Sequence, residues 1–144
     1  MKRITLIFAI LCSIFSFGQV GTVFTSGGLK YKITDATTVE VSQNSGITGE
    51  IILPATVNYN SATYQVKGLG IKAFYDCSSL ISVNIPNSVT NIGNSVFYRC
   101  TSLTSVIIPD SVNSIGDEAF YSCTALTTVT IPNSVATIGG GAFY

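Results

Sequence analysis

The sequence predicts a solenoid of stacked coils, each built from one β-strand and a short 3₁₀ or helical turn, with an N-terminal β-hairpin cap. The stretch IPNSVTNIGNSVFYRCTSLTSV, Ile85 to Val106, returns from Ile108 as IPDSVNSIGDEAFYSCTALTTV, and a third copy begins at Ile131. A constant spacing of 23 residues separates Pro86, Pro109 and Pro132. A fixed period of this length is typical of repeats that stack their units along one axis.

The first half of each repeat has the pattern of a strand with one buried face. Val83 and Ile85 alternate with Ser82 and Asn84, which is the two-residue period of a β-strand. Pro86 cannot donate a ladder hydrogen bond, so the strand is expected to end there.

The second half of the repeat predicts a tight return of the chain. Gly93 is expected to adopt a positive φ, which glycine does at little cost. The segment 95–97 is too short for a full helix and suits one helical or 3₁₀ turn on the far side of the coil.

Stacking at this period places like residues above one another. The largest side chains form an aromatic column of Phe74, Phe97, Phe120 and Phe143. Because one coil cannot bury its apolar side by itself, we expect neighbouring coils to fold together.

The chain before the clear repeats has a different pattern. Residues 19–50 contain two short alternating runs, at 30–33 and 38–41, which predict a β-hairpin that caps the first coil. The run 51–54 fits a degenerate first repeat, so the solenoid is expected over 51–144. Nine extra residues before the next repeat predict a small protruding hairpin near 57–66.

The two ends of the sequence carry further expectations. Residues 1–18 have a basic start, an apolar run over 4–17 and small residues before Gln19, which together predict a signal peptide cleaved after Gly18. A lipoprotein signal through Cys12 is disfavoured because Leu11 stands where a small residue is expected. Because the sequence stops in mid-repeat at Tyr144, we expect a fragment of a longer protein.

The pattern L-x-x-V-x-I-P-x-S-V-x-x-I-G-x-x-A-F-x-x-C resembles the BspA-like, treponemal-type leucine-rich repeat family. The stretch 103–123 carries every fixed position, and 80–100 departs from it at Val96, where the pattern has alanine. The resemblance implies a right-handed leucine-rich-repeat solenoid. It also implies a secreted or surface-displayed bacterial protein of the adhesin-like type that binds host or matrix proteins.

Composition disfavours several classes of function. Only 10% of the residues are charged, and they form no basic stripe, so nucleic acid is not an expected partner. The chain has no histidine, which excludes a Ser-His-Asp triad and removes the commonest metal ligand. We expect no cofactor and no transmembrane segment in the mature chain.

A cysteine column also recurs with the period, at Cys77, Cys100 and Cys123. Thiols stacked one strand spacing apart do not converge on a metal ion, and a disulfide between them would be strained. We therefore interpret them as small buried side chains.

Two surfaces are candidates for binding. The strand face is the outward side of the repeat strands, expected to be concave, and comprises Ser82, Asn84, Ser105, Ile107, Thr128 and Thr130. The tyrosine column follows the phenylalanines at Tyr75, Tyr98, Tyr121 and Tyr144. The β-strand propensity of its residues explains the strand face equally well, without any binding role. Packing of one ring on the next likewise explains the tyrosine column.

The sequence therefore predicts a non-catalytic, secreted or cell-surface module that binds an extracellular protein or a glycan. The alternative is a structural spacer that presents another domain. An enzyme is disfavoured, because no polar residues converge in the pattern.

Overall fold

Two β-sheets run along the stacked coils, and the coils contribute short strands to both, except that the last coil adds a strand to the larger sheet alone. The computed structural model describes residues 18–144. The strands are β1 (Val23–Ser26), β2 (Leu29–Ile33), β3 (Thr38–Val41), β4 (Thr48–Ile52), β5 (Thr56–Tyr59), β6 (Ala62–Leu69), β7 (Ser79–Asn84), β8 (Asn91–Ile92), β9 (Ser105–Ile107), β10 (Ser114–Ile115) and β11 (Thr137–Ile138). The larger sheet has the order β1-β2-β3-β6-β8-β10-β11, with β5 paired to β6, and the smaller has the order β4-β7-β9.

The smaller sheet contains the repeat strands expected from the alternation of Val83 and Ile85 with polar residues. Strand β7 pairs in parallel with β4 on one side and with β9 on the other. The two-residue strands β8, β10 and β11 form a second parallel ladder, which the sequence analysis did not predict. Two residues are too few to show an alternation.

The core consists of columns of like residues, as the period predicts. Phe74, Phe97, Phe120 and Phe143 stack with ring centroids 5.5, 5.1 and 5.1 Å apart and interplanar angles of 5°, 20° and 5°. The first three rings are buried, whereas Phe143 is 45% exposed. Each coil therefore covers the aromatic ring of the coil before it.

The far side of the coil is not the helical or 3₁₀ turn that the sequence analysis expected. Residues 18–144 form no helix of any kind, and so none that could span a membrane. Positive φ values recur at the same two places in successive coils, so a helical run is interrupted: Lys72, Ser95, Glu118 and Gly141 form one set, and Asp76, Arg99 and Ser122 the other. Hydrogen-bonded turns replace the helical segment.

The expectation of a positive φ at Gly93 is wrong. Glycine is required there by the preceding coil, since a Cβ would lie 2.8 Å from the carbonyl oxygen of Leu69. A Cβ on Gly116 would likewise lie 2.6 Å from the carbonyl carbon of Gly93. A Cβ on Gly139 would lie at the same distance from the carbonyl carbon of Gly116. This column lets successive backbones approach each other.

The N-terminal region forms its own antiparallel strands. Strand β2 pairs with β1 and with β3, and β3 continues in parallel with β6. That residues 19–50 act as a cap remains a prediction. The signal peptide expected over 1–18 lies, apart from Gly18, outside the described residues.

Strands β5 and β6 form an antiparallel hairpin in the region where the nine extra residues predict one, and one side of it is packed against the rest of the chain. Tyr64 is fully buried, and Val57 is 5% exposed. The hairpin packs on an aromatic cluster, in which the ring of Phe24 lies 4.4 Å from that of Tyr59 and 6.3 Å from that of Tyr64. Burial of these rings holds the hairpin against the N-terminal strands.

Candidate functional site

The strand face is a continuous surface over β7 and β9. Ser82 lies opposite Ser105, and Asn84 lies opposite Ile107. Asn84 and Ser105 are exposed, and Ile107 is 62% exposed. Thr128 and Thr130, the remaining two predicted residues, are exposed but lie outside the strands. The face therefore comprises two rows of side chains that cross the strands.

Strand β4 extends both rows by two residues that the sequence analysis did not select. Glu50 is in register with Ser82, and Ile52 is in register with Asn84. Ile52 is 80% exposed, so the second row presents isoleucine, asparagine and isoleucine. The signal for these two residues lies in the run 51–54, whose strand-proline pattern fits a degenerate repeat.

The tyrosine column stacks ring on ring. Neighbouring centroids are 4.9, 4.8 and 5.2 Å apart along Tyr75, Tyr98, Tyr121 and Tyr144, and the interplanar angles are at most 15°. The first three residues are half-buried, and Tyr144 is 82% exposed. Because each inner ring is covered on both faces, the column presents mainly ring edges and hydroxyl groups.

Two cations lie beside this column. The Nζ of Lys72 is 5.0 Å from the centroid of the Tyr75 ring, and the guanidinium carbon of Arg99 is 5.5 Å from that of Tyr98. These distances are within the range of cation–π attraction. The cations therefore help to hold the outer edges of the rings in place.

The three cysteines of the column are buried free thiols. Cys100 and Cys123 donate from Sγ to the carbonyl oxygens of Phe74 and Phe97, at 3.1 and 3.0 Å. Burial raises the pKa of all three thiols, that of Cys123 to about 11. High pKa values and burial make these thiols poor nucleophiles, because the reactive form is the thiolate.

No metal-binding group of three or more His, Cys, Asp or Glu side chains occurs within residues 18–144. The ion pair found in this part of the chain joins Lys32 to Glu40 at 3.5 Å, on the N-terminal strands and away from the strand face. The chemistry that the strand face offers is apolar contact, hydrogen bonding and one carboxylate at Glu50.

Residues 51–144 match the BspA type leucine rich repeat region, in six copies. No curated protein sequence matches the chain.

Solved structures of bacterial leucine-rich repeat proteins share the fold. A protein from Bacteroides ovatus is 31% identical with a TM-score of 0.73, over 81% of this chain and 31% of its own. A protein from Bacteroides capillosus is also 31% identical, with a TM-score of 0.72, over 81% of this chain and 86% of its own. The leucine-rich repeat protein of T. pallidum is 28% identical with a TM-score of 0.62, over 83% of this chain and 65% of its own. The chain thus spans about a third of the Bacteroides ovatus protein.

Proposed function

This chain belongs to the BspA-type leucine-rich repeat family, and from that premise we propose that it is a non-catalytic binding module that acts outside the bacterial cell. Its partner is an extracellular protein, which it recognises through the strand face as extended by β4. Residues 1–18 direct secretion, residues 19–50 cap the solenoid, and residues 51–144 form the repeat array.

The observation that carries this proposal is the pair of exposed isoleucines on one row of the strand face. Ile52 and Ile107 flank Asn84 in register and are 80% and 62% exposed. Large apolar side chains on a sheet surface are expensive to leave in water, so a row of them supports an interface. The neighbouring row supplies hydrogen-bonding groups from Ser82 and Ser105.

The same geometry favours a protein partner over a glycan. Aromatic residues commonly hold sugar rings by stacking, and the faces of Tyr98 and Tyr121 are already occupied by their neighbours. The isoleucine row needs apolar groups opposite it, and protein side chains supply more of these than sugars do.

The test uses substitutions that the repeat itself supplies. Ile52→Asn introduces the residue found in register at 84, and Ile107→Thr introduces the residue found one period later at 130. The double variant should keep its urea-unfolding midpoint, because neither side chain is buried. Wild-type protein is passed over immobilised extracellular-matrix and bacterial-surface proteins, and retention is measured.

We expect retention of the wild type on at least one protein, and its loss in the double variant. Tyr121→Phe, which keeps the ring stack and removes one hydroxyl, is the control and should retain binding. Retention unchanged in the double variant would reject the strand face as the site. No retention of the wild type on any protein would favour the structural spacer. Secretion is tested separately, by protease accessibility of a tagged chain on intact bacterial cells.

A further inference from the structure

The smaller sheet has an edge with which no strand of residues 18–144 pairs. Its order is β4-β7-β9, so β4 forms one border and, within residues 18–144, pairs with β7 alone. The N-terminal strands β1–β3 extend the other sheet instead. An unpaired strand edge presents a row of backbone donors and acceptors that another strand can meet.

Backbone N–H and C=O groups alternate in direction along a strand, and this alternation shows which groups of β4 do not pair with β7. The N–H of Leu53 donates to the carbonyl oxygen of Asn84, so residue 53 directs its backbone groups toward β7. Because directions alternate along a strand, Ile51 also faces β7, whereas Glu50 and Ile52 direct their N–H and C=O groups away from it. Two residues of β4 can therefore hydrogen-bond to an added strand.

A groove of about 640 Å³ lies alongside this edge. One wall is β4 itself, another is the β1–β2 turn around Gly27 and Gly28, and the third is formed by β5 at Val57. The turn and β5 leave room for an extended chain, while Ile51 and Val57 offer apolar contacts for alternate side chains.

The charge of the groove indicates which kind of polypeptide segment would bind in it. Glu50 is the single charged residue among those that line the groove. It is also the central residue of β4, which runs from Thr48 to Ile52. A second copy pairing antiparallel about the centre of β4 would place Glu50 opposite Glu50, and like charges directly opposite destabilise a strand pair.

We propose that an extended segment of another polypeptide, carrying a lysine or arginine opposite Glu50, adds to β4 as an extra strand of the smaller sheet. This recognition uses the edge of the sheet and not its face, and it does not depend on the proposed function of the strand face. Main-chain hydrogen bonds give affinity in such strand addition, and the side-chain contacts give specificity.

The experiment uses the full chain and two labelled seven-residue peptides, Thr-Val-Thr-Lys-Thr-Val-Thr and the same peptide with a central glutamate. Fluorescence polarisation measures binding, and amide hydrogen exchange measures protection at Glu50 and Ile52. We expect the lysine peptide to bind and to protect both amides. We expect the glutamate peptide to bind about five-fold more weakly.

Three variants separate the contributions. Ile52→Pro removes an outward N–H and should weaken the lysine peptide by about ten-fold or more, without loss of the fold, since proline is tolerated at sheet edges. Glu50→Lys should reverse the preference between the two peptides. Ile107→Thr, on the face of a different strand, should leave peptide binding unchanged.

Several results would overturn the proposal. They are the absence of binding by either peptide, equal binding of both, and unchanged affinity in Ile52→Pro. A wild-type dimer in sedimentation equilibrium that Ile52→Pro converts to a monomer would replace the proposal with self-pairing of this edge.

Discussion

The thiol of Cys100 donates a hydrogen bond to the backbone carbonyl oxygen of Phe74 in the preceding coil, with a distance of 3.1 Å between sulfur and oxygen. Cys123 repeats this contact with Phe97, one period later, at 3.0 Å. Both contacts require a protonated thiol, because a thiolate cannot donate. Burial also disfavours the charged form and raises the pKa of both thiols. The cysteine column therefore links the stability of the array to alkaline pH.

We expect the free energy of unfolding to fall as the pH rises from about 9 toward 11. The pKa of Cys123 is raised from its ordinary value of 9.0 to about 11. Below the lower value the thiol is protonated in both states, and between the two values the unfolded state loses its proton first and is favoured. A difference of two pKa units corresponds to about 3 kcal/mol, measured by urea unfolding at a series of pH values.

Cys123→Ala is the control for this pH dependence. It should be less stable than the wild type at pH 7, through the loss of a buried sulfur, but its stability should fall less steeply between pH 9 and 11. Cys77 and Cys100 remain in this variant, so part of the slope should persist. Identical slopes in the two proteins would contradict the assignment to Cys123.

Replacing a phenylalanine of the column by alanine should lower the free energy of unfolding by an amount that depends on its position in the column. Phe97 is fully buried between Phe74 and Phe120, so Phe97→Ala should leave a cavity and cost about 3–5 kcal/mol. Because coils support their neighbours, unfolding should remain a single transition at a lower urea midpoint.

Phe143→Ala is the matched control, since Phe143 has one stacking partner and is 45% exposed. It should cost about 1–2 kcal/mol. Equal losses from both substitutions would mean that burial along the column does not determine its contribution.

Two neighbouring glycines test whether the glycine column is a steric requirement. A Cβ on Gly139 would lie 2.3 Å from the backbone nitrogen of Asp117 and 2.6 Å from the carbonyl carbon of Gly116, whereas one on Gly140 would meet its nearest atom at 3.8 Å. Neither glycine has a positive φ. Gly139→Ala should therefore destabilise the chain by about 1–3 kcal/mol, through crowding of backbone atoms that cannot move aside.

Gly140→Ala should change the free energy of unfolding by less than about 0.5 kcal/mol. Thermal unfolding followed by circular dichroism distinguishes the two. A Gly139→Ala variant as stable as Gly140→Ala would show that successive coils can separate to admit a methyl group.

The stacking of Phe74, Phe97 and Phe120 could be predicted because it depends on the period alone. A constant spacing of 23 residues returns each residue to the same place in the coil. The strand-proline pattern of the run 51–54 likewise places β4 in the array, although 32 residues and not 23 separate Pro54 from Pro86. That the edge of β4 carrying Glu50 stays unpaired depends on where β1 and β2 pack.

Other features depend on contacts between distant parts of the chain. The buried position of Tyr64 arises from packing on Phe24, which lies on a strand far away in sequence. The requirement for glycine at Gly93 arises from the backbone of Leu69 in the coil before it, and not from the φ of Gly93. Local pattern cannot reveal a constraint imposed by a neighbour in space.

The positive φ at Ser122 allows a final prediction about the turns. Its φ is 56°, and its N–H donates to the carbonyl oxygen of Tyr144 at 2.8 Å, so the next coil holds this backbone conformation. A β-branched side chain is strained there. Ser122→Val should cost about 1–2 kcal/mol, whereas Ser122→Gly, the residue type that the chain uses at Gly141 with φ 63°, should be tolerated.

Ser105→Val, the same exchange in strand β9, is the control and should be neutral or slightly stabilising, since valine favours strands. Equal urea midpoints for Ser122→Val and Ser105→Val would refute the strain at residue 122.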